Sequence, residues 1–243
     1  MEELFGNSAG GTIKNCVNYA EVKYGADAAG GILGYGGEET SVEFCINYGR
    51  ISGMQQLGGI TGCSNLNSSI KFCYNRGEIV SVSNYGTGGI CGIFGHPTKG
   101  EKGEIYGCYN TGKVIGCKND VAGISGFMNG VTRVENVINC GEVYVGSTKI
   151  TNDIGSEGNF FGRIIGEKGS KGSLNNYRNM SDSELKNYSQ NEIEKFLGEN
   201  YIPDGKKIDK DGKLVDNKDN NGNIIYLNDG YPILKWQGES GKK

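Results

Sequence analysis

The chain has 243 residues, a formal net charge of −3 and 43 glycines, but only three prolines. Glycine is more than twice as frequent as the roughly 7% usual in globular proteins, and without a collagen period it indicates turns in a folded chain. The small net charge and the lack of a long basic run argue against nucleic acid as a partner. No stretch approaches the roughly 18 apolar residues that a membrane-spanning helix requires.

Two short phrases recur along residues 1–180. The first contains cysteine or valine followed two positions later by asparagine, and its copies begin at Ile13, Val42, Ile70, Ile105, Val134 and, in divergent form, Leu174. The second is Gly-Gly-Ile-x-Gly, and its copies begin at Gly30, Gly58, Gly88 and, with alanine in the first place, Ala122. Repeats of nearly constant length are the signature of a solenoid, so we expect one structural unit to be repeated.

Each repeat contains three short apolar runs separated by glycine, asparagine or serine. Such runs are too short for helices, and their isoleucine, valine and tyrosine residues favour strands. We therefore predict an all-β fold in which residues 1–180 form a right-handed parallel β-helix of about six coils. Successive coils should stack about 4.8 Å apart.

Aligning the copies predicts which side chains stack. The inward columns are Ile13/Val42/Ile70/Ile105/Val134, Val22/Ile51/Ile79/Val114/Val143 and Ile32/Ile60/Ile90/Ile124. The outward columns, which largely alternate in charge as in-register strands favour, are Glu21/Arg50/Glu78/Lys113/Glu142 and Lys14/Glu43/Lys71/Tyr106/Glu135. A ladder of side-chain amides is predicted for Asn18, Asn47, Asn75, Asn110 and Asn139. We expect the glycines two positions later to supply positive φ, namely Gly49, Gly77, Gly112 and Gly141.

The composition changes after residue 180. Ser181 and Ser189 are each followed three residues later by glutamate, which predicts two short helices with capping boxes. Asp211-Gly212 and Asn221-Gly222 predict β-hairpin turns. We assign residues 181–237 to a small α+β module that caps the open end of the array, and residues 238–243 to a disordered tail.

The phrases Gly-Gly-Ile-x-Gly and Cys-x-Asn-x-Gly resemble the GLUG-type repeat of bacterial cell-surface and secreted proteins, across roughly residues 4–180. The segment Gly230-Tyr-Pro-Ile-Leu-Lys-Trp236 also looks like one that often follows such arrays. The resemblance implies an extracellular or cell-surface location in a bacterium and an adhesive or spacer role, and it brings no catalytic residues. Because Leu4-Phe5-Gly6 looks like the end of a preceding repeat, we interpret the chain as a piece of a longer protein, and we expect a monomer.

Eight cysteines raise the question of a metal or redox site. Cys16, Cys45, Cys73 and Cys108 fall in one inward column, in which Val137 takes the next place. We predict that they are free thiols packed as small apolar groups, with disulfides between adjacent coils as the alternative. There is no Cys-x-x-Cys pair, so zinc is disfavoured, and we predict no cofactor.

Two insertions, residues 93–104 and 145–160, lengthen later repeats. Extra loop length in a regular array commonly carries interactions, although loops without a partner are the alternative. The predicted binding residues are Phe94, His96, Lys99, Lys102, Lys149, Asp153, Phe160 and Phe161. Separately, Asn217, Asp219 and Asn221 follow part of a calcium-loop pattern. Asn228 stands where an EF-hand uses glutamate, so a hairpin turn is the preferred interpretation.

The leading functional hypothesis is a noncatalytic module of a bacterial surface or secreted protein, acting as a rigid stalk or as an adhesive surface for host proteins or glycans. The alternative is a carbohydrate-active β-helix enzyme, a polysaccharide lyase or a glycoside hydrolase. Glu21 and Glu78 should be about 9.6 Å apart, near the spacing of an inverting glycosidase. Arg50 should lie between them and keep both ionised, so a cleft with clustered charges is the feature that would favour an enzyme.

Overall fold

The structure is a computed structural model that describes residues 5–25, 27–65, 67–83, 85–95, 102–129, 131–156, 160–168 and 172–239. Strands make up 48% of it and helices 8%, so the predicted all-β class is confirmed. The chain divides into two compact units, Met1–Asn179 and Met180–Lys243.

The first unit is built from short parallel strands that stack in four groups within the described residues. Group one contains β1 (Phe5–Ser8), β6 (Leu33–Gly36), β11 (Thr61–Ser64), β16 (Cys91–Phe94), β21 (Ser125–Met128) and β26 (Ile165–Lys168). Group two contains β2 (Gly11–Lys14), β3 (Val17–Asn18), β7 (Thr40–Glu43), β8 (Ile46–Asn47), β12 (Ser69–Lys71), β13 (Tyr74–Asn75), β17 (Lys102–Tyr106), β18 (Tyr109–Asn110), β22 (Val131–Asn139) and β27 (Ser173–Asn179).

The other two groups complete each repeat. Group three contains β4 (Val22–Tyr24), β9 (Ile51–Gly53), β14 (Ile79–Ser81), β19 (Val114–Gly116), β23 (Val143–Val145) and the antiparallel β24 (Thr148–Lys149). Group four contains β5 (Ala29–Gly30), β10 (Leu57–Gly58), β15 (Thr87–Gly88), β20 (Val121–Ala122) and β25 (Phe161–Gly162). The result is a solenoid of stacked parallel strands resembling a β-helix.

The pairing register follows the sequence repeat. Ile13 pairs with Val42, Val42 with Ile70, Ile70 with Ile105 and Ile105 with Val134. The column that begins at Val22 is paired in the same way, and in the column that begins at Ile32 each backbone N–H donates to the next member's carbonyl. These side chains are buried and form the core, which confirms the three predicted inward columns.

The asparagine ladder is also confirmed. Each amide nitrogen donates to the amide oxygen of the next asparagine, and all five side chains are almost completely buried. The distances are 2.8 Å from Asn18 to Asn47, 2.7 Å from Asn47 to Asn75, 2.7 Å from Asn75 to Asn110 and 2.9 Å from Asn110 to Asn139. Each buried amide thus has partners, which avoids the free-energy cost of an unpaired polar group.

The role predicted for the following glycines is wrong, because Gly49, Gly77, Gly112 and Gly141 do not have positive φ. Glycine occupies these positions because there is no space for a Cβ atom. A Cβ atom on Gly77 would lie 1.8 Å from the carbonyl oxygen of Gly49 in the neighbouring coil. The second glycine of the Gly-Gly-Ile-x-Gly phrase also lacks space for a Cβ atom, since a Cβ on Gly31 would lie 2.3 Å from the amide oxygen of Asn47. This contact explains why the two phrases occur together in each repeat.

Positive φ occurs instead just before the cysteine column. The residues concerned are Asn15, Phe44, Phe72, Gly107, Asn136 and Asn176, with φ between 46° and 63°. Asparagine and glycine adopt this conformation readily, whereas phenylalanine does so at a cost of about 1–2 kcal/mol. The rings of Phe44 and Phe72 stack with centroids 5.3 Å apart, which offsets part of that cost.

All eight cysteines are free thiols in the structure. In the predicted column, each Sγ donates to the carbonyl two residues earlier, at 3.2 Å for Cys45 and for Cys73. Valine at 137 fills the same space without that weak hydrogen bond. Burial raises the pKa of Cys63 to about 12 and that of Cys73 and Cys91 well above the usual range, so these thiols are poor nucleophiles.

The second unit begins with α1 (Asp182–Lys186) and α2 (Gln190–Phe196), and both predicted capping boxes are present. Its strands are β28 (Tyr201–Ile202), β29 (Lys206–Ile208), β30 (Leu214–Asp216) and β31 (Ile233–Leu234), followed by the 3₁₀-helix η1 (Lys235–Gly238). The pairs β28–β31 and β29–β30 are antiparallel. Gly238 is buried and Glu239 forms a bridge with Ile208. These two residues therefore belong to the folded unit and not to the predicted tail, whose residues 240–243 lie outside the described part.

The sequence interpretation missed the importance of Asp204. Its nearly buried carboxylate accepts backbone hydrogen bonds from Gly205, Leu227, Asn228 and Gly230 at 2.7–2.9 Å. Charged hydrogen bonds of this kind contribute about 1.5–3 kcal/mol each. Asp204 therefore fixes the segment that leads into β31.

Candidate functional site

A shallow, open groove of about 620 Å³ lies against the group-two strands β12, β17, β22 and β27. Its lining includes one column of the sheet, formed by Ser69, Glu104, Arg133 and Ser173. The remaining lining residues are Asn67, Ser68, Lys71, Lys102 and Gly103. Three residues of the first insertion, Lys102, Gly103 and Glu104, thus form part of the wall.

Strand alternation explains why these residues face outward. Ile70, Ile105 and Val134 are buried in the core, and in a strand the residues on either side of an inward residue point to the opposite face. Glu104 and Tyr106 therefore flank Ile105 on the outside. Because the coils are in register, the outer face carries two parallel columns of polar and charged groups.

The groove is positively charged although the whole chain is acidic. Among the described residues of its lining, three are cationic, Lys71, Lys102 and Arg133, and one carries a carboxylate, Glu104. The Lys71 Nζ lies 2.8 Å from Glu104 Oε2 and the Arg133 Nη1 lies 3.5 Å from Glu104 Oε1. Arg133 also pairs with Glu135. Lys102 is exposed and has no ion-pair partner among the described residues.

Aromatic side chains lie beside this charged floor. Tyr106 pairs in register with Lys71, and its ring is nearly perpendicular to that of Phe72, with centroids 5.5 Å apart at 86°. Phe72 stacks in turn on Phe44. The Tyr106 hydroxyl accepts a hydrogen bond from Asn136 Nδ2 at 2.9 Å, which fixes the ring. All three rings are half-buried.

Several predicted binding residues lie elsewhere. Phe94 is completely buried, and its ring occupies the space next to Gly103, so it is a core residue and the prediction of a binding role fails. His96 and Lys99 lie outside the described residues. Lys149 is in group three, where its Nζ contacts Glu142 Oε1 at 2.5 Å.

The residues of the second insertion are also separate from the groove. Asp153 accepts a hydrogen bond from the Asn179 side chain, and the Phe160 carbonyl accepts one from Val121 N. Phe161 pairs with Val121 in group four and packs against a buried cluster. Of the predicted residues that the structure describes, Lys102 alone lines the groove.

The calcium candidate forms a hairpin turn. Asp219 Oδ1 accepts hydrogen bonds from Asn221 N and Asn223 N, both at 2.8 Å, and its Oδ2 accepts one from the Asn223 side chain. The Asp209 carboxylate holds the turn between β29 and β30 in the same way. Among the described residues, no group of three histidine, cysteine, aspartate or glutamate side chains is placed to hold a metal ion. The hydrogen bonds that Asp219 accepts are those of a turn, which is the interpretation that the sequence favoured.

A pair of carboxyl groups, Asp120 and Glu167, forms a second candidate site that the sequence did not reveal, because 47 residues separate its members. Burial, followed by the charge and hydrogen bonding of Glu167, raises the pKa of Asp120 to about 7. Burial and then the charge of Asp120 raise the pKa of Tyr85. In contrast, hydrogen bonding to Arg50 lowers the pKa of Glu21, as predicted.

No family model matches the chain, and no curated protein matches it. Among solved structures, it is similar to one from Bacteroides ovatus that is provisionally described as an immunoglobulin A1 protease. The TM-score is 0.59 at 22% identity, over 95% of this chain and 70% of that one. At this identity the likeness shows the fold alone. In the described residues, no helix has the length and apolar character needed to cross a membrane.

Proposed function

We propose that this chain is a noncatalytic binding module of a bacterial surface or secreted protein, and that the groove is its binding surface for host proteins or glycans. The observation that carries the proposal is the positive groove on an acidic chain. Lys71, Lys102 and Arg133 line one open groove of about 620 Å³, whereas the chain has a formal charge of −3.

The proposed role includes the shape of the array. We infer a β-helix of about six coils that acts as a rigid, monomeric stalk. Its hand should be right, because parallel crossovers are right-handed in about 98% of cases. Residues 181–237 would cap its open edge. The GLUG resemblance supports an extracellular or cell-surface location. The description of the similar Bacteroides structure, which names an immunoglobulin, is in keeping with this.

Proteolysis is not part of the proposal. A zinc-protease motif of the His-Glu-x-x-His kind requires two histidines on one helix, and the chain has one histidine. The name of the similar structure therefore supplies no catalytic mechanism for these residues.

The second candidate function is a carbohydrate-active enzyme, and the Asp120–Glu167 pair is the observation that favours it. A carboxyl group with a pKa of about 7 can hold a proton near neutral pH, as the general acid of a glycosidase must. Asp120 is only 4% exposed, however, so a glycosidic bond would not reach it in this conformation. Binding is therefore the function we place first.

The test is binding of the chain to an immobilised panel of glycans, serum proteins and matrix proteins. Lys102→Glu reverses a charge in the groove without breaking an ion pair between described residues, and it should weaken binding to any captured ligand about tenfold or more. Lys118→Glu reverses an exposed lysine outside the groove lining and should not. Equal losses in both variants, or no binding across the panel, would contradict the proposal. Release of reducing or unsaturated ends from a polysaccharide, abolished in Asp120→Asn, would favour the enzyme instead.

A further inference from the structure

The groove combines positive charge with aromatic groups in a way that selects a class of ligand. Its cationic side chains lie on three successive strands of the stack, β12 for Lys71, β17 for Lys102 and β22 for Arg133. Neighbouring strands are about 4.8 Å apart, so the positive charges extend roughly 10 Å along the stack. An open groove with charges spaced in this way matches an extended ligand that carries several negative groups.

The aromatic side chains add to this preference. Because Phe44 and Phe72 stack on each other, with 10° between their planes, one face of each ring is covered and the ring edges contribute to the surface that remains exposed. The edge of an aromatic ring carries the positive end of its quadrupole and attracts anionic oxygen atoms. The strip of ring edges beside Lys71 therefore favours the same negative ligand as the cations do.

The backbone conformation of Phe44 and Phe72 supports a role for these residues beyond packing. Phe44 and Phe72 belong to the column of positive-φ residues just before the cysteine column. Its other described members are Asn15, Gly107, Asn136 and Asn176, which suit a left-handed backbone. Phe44 and Phe72 do not suit it, and they occur in the repeats next to the groove. Residues held in an unfavourable conformation are concentrated at functional sites.

The polar groups of the groove distinguish between anionic ligands. Ser69 and Ser173 line it with hydroxyl groups and Asn67 with an amide, which suits a partner rich in hydroxyl groups. The described residues of its lining include no large apolar side chain that would anchor a peptide. Glu104 lies between Lys71 and Arg133, where it neutralises part of the charge that a ligand would otherwise meet.

We propose that the groove binds an acidic oligosaccharide, whose carboxylate or sulfate groups contact Lys71, Lys102 and Arg133 and lie against the ring edges of Phe72 and Tyr106. This inference rests on the proposed binding function and specifies its ligand. The ion pairs of Glu104 are partly exposed, and pairs of this kind contribute little to stability, so a ligand can replace them.

The experiment measures the affinity of the full chain for four probes by calorimetry at several salt concentrations. The probes are an oligogalacturonate, a heparin-derived hexasaccharide, an uncharged cello-oligosaccharide and a polyglutamate peptide. At least one of the two acidic sugars should bind at least tenfold more tightly than the uncharged sugar and the peptide. Its affinity should fall as salt rises, because the contacts are ionic.

Two variants make the prediction sharper. Glu104→Gln removes the neutralising carboxylate and should tighten binding of the acidic sugar three- to tenfold. The control Glu78→Gln, which also removes a glutamate paired with an arginine, should leave the affinity unchanged. Phe72→Asn should weaken binding at least threefold while the thermal midpoint stays the same or rises, because asparagine suits the left-handed backbone.

The outcomes separate this inference from the proposed function. Tight, Lys102-dependent binding of the uncharged sugar or of the peptide would overturn the acidic sugar as ligand but leave the groove as a binding surface. The inference also fails if Glu104→Gln weakens binding or leaves it unchanged. If neither these probes nor the panel of glycans and proteins binds through Lys102, the proposed function fails as well.

Discussion

The carboxyl groups of Asp120 and Glu167 lie close together in the first unit. Asp120 is 4% exposed, and its Oδ1 atom has no hydrogen-bond partner among the described residues. Burial and the neighbouring Glu167 both disfavour its charged form, which explains why the pKa of Asp120 is raised to about 7. Tyr85 lies near the pair and adds no positive charge. A protonated Asp120 is therefore the form that the fold prefers.

This preference predicts how stability depends on pH. The pKa of Asp120 is higher in the folded state than its ordinary value of 3.8, so the folded state binds the proton more tightly than the unfolded state. The contribution of Asp120 to stability should therefore fall as pH rises from about 4 to about 7 and then level off. Asp120→Asn, which mimics the protonated acid, should be more stable than the parent chain at pH 8 and about equally stable at pH 4.

Urea unfolding at pH 4, 6 and 8 measures this effect. Asp27→Asn is the matched control, because Asp27 is an exposed aspartate of the same unit. If Asp120→Asn and the parent chain differ by the same amount at pH 4 and pH 8, the assignment of a raised pKa is wrong.

The coils of the first unit stack through two kinds of side-chain contact. Inside, the buried amides of the asparagine ladder bond to one another, and glycine carbonyls such as that of Gly49 accept a second hydrogen bond from the same amides. Outside, Arg50 contacts both Glu21 and Glu78, at 3.0 Å and 2.9 Å. The outer pairs are exposed and contribute little to stability, so the buried ladder and its glycines determine how closely the coils approach.

We expect Gly77→Ala to destabilise the first unit by about 3 kcal/mol or more. Its new Cβ would lie 1.8 Å from the Gly49 carbonyl oxygen, and a backbone atom cannot move away without separating the coils. Gly25→Ala is the control, since nothing lies within 4 Å of its Cβ position, and it should be neutral or stabilising by up to about 1 kcal/mol. Thermal unfolding followed by circular dichroism compares the two. Similar midpoints would show that close packing is not the reason for the glycine column.

At the scale of the whole molecule, each unit contains a different kind of residue that can report on its folding. All eight cysteines lie in Met1–Asn179, and the one tryptophan, Trp236, lies in Met180–Lys243. Cys117 is exposed, Cys16 and Cys140 are half-buried, and the other five thiols are buried. Alkylation of the thiols therefore reports on the solenoid, and tryptophan fluorescence reports on the second unit.

Alkylation of the native chain without a reductant should label Cys117 first and Cys16 and Cys140 more slowly. The five buried thiols should react only after unfolding, because burial excludes the reagent and raises the pKa of Cys63, Cys73 and Cys91. Mass spectrometry with peptide mapping measures the order. Two or more disulfides in the unfolded, alkylated chain would contradict the prediction of free thiols.

The sequence determined the repeat and therefore the register. Once the copies were aligned, the inward column of Ile70, the ladder of Asn75 and the pairing of Arg50 with its neighbours followed, because each depends only on which residue lies in the adjacent coil. The capping boxes at Ser181 and Ser189 and the two hairpin turns were predictable for a similar reason, since their contacts are local in the chain.

The tertiary structure decided the features that depend on distances between atoms and not on order in the chain. Phe94 lies in an insertion, yet it is buried because the space beside Gly103 admits its ring. Asp204 is important because four backbone N–H groups, three of them more than 20 residues away, converge on its carboxylate. The groove likewise exists because parallel stacking places Lys71, Lys102 and Arg133 on one face, and no local pattern in the sequence encodes that convergence.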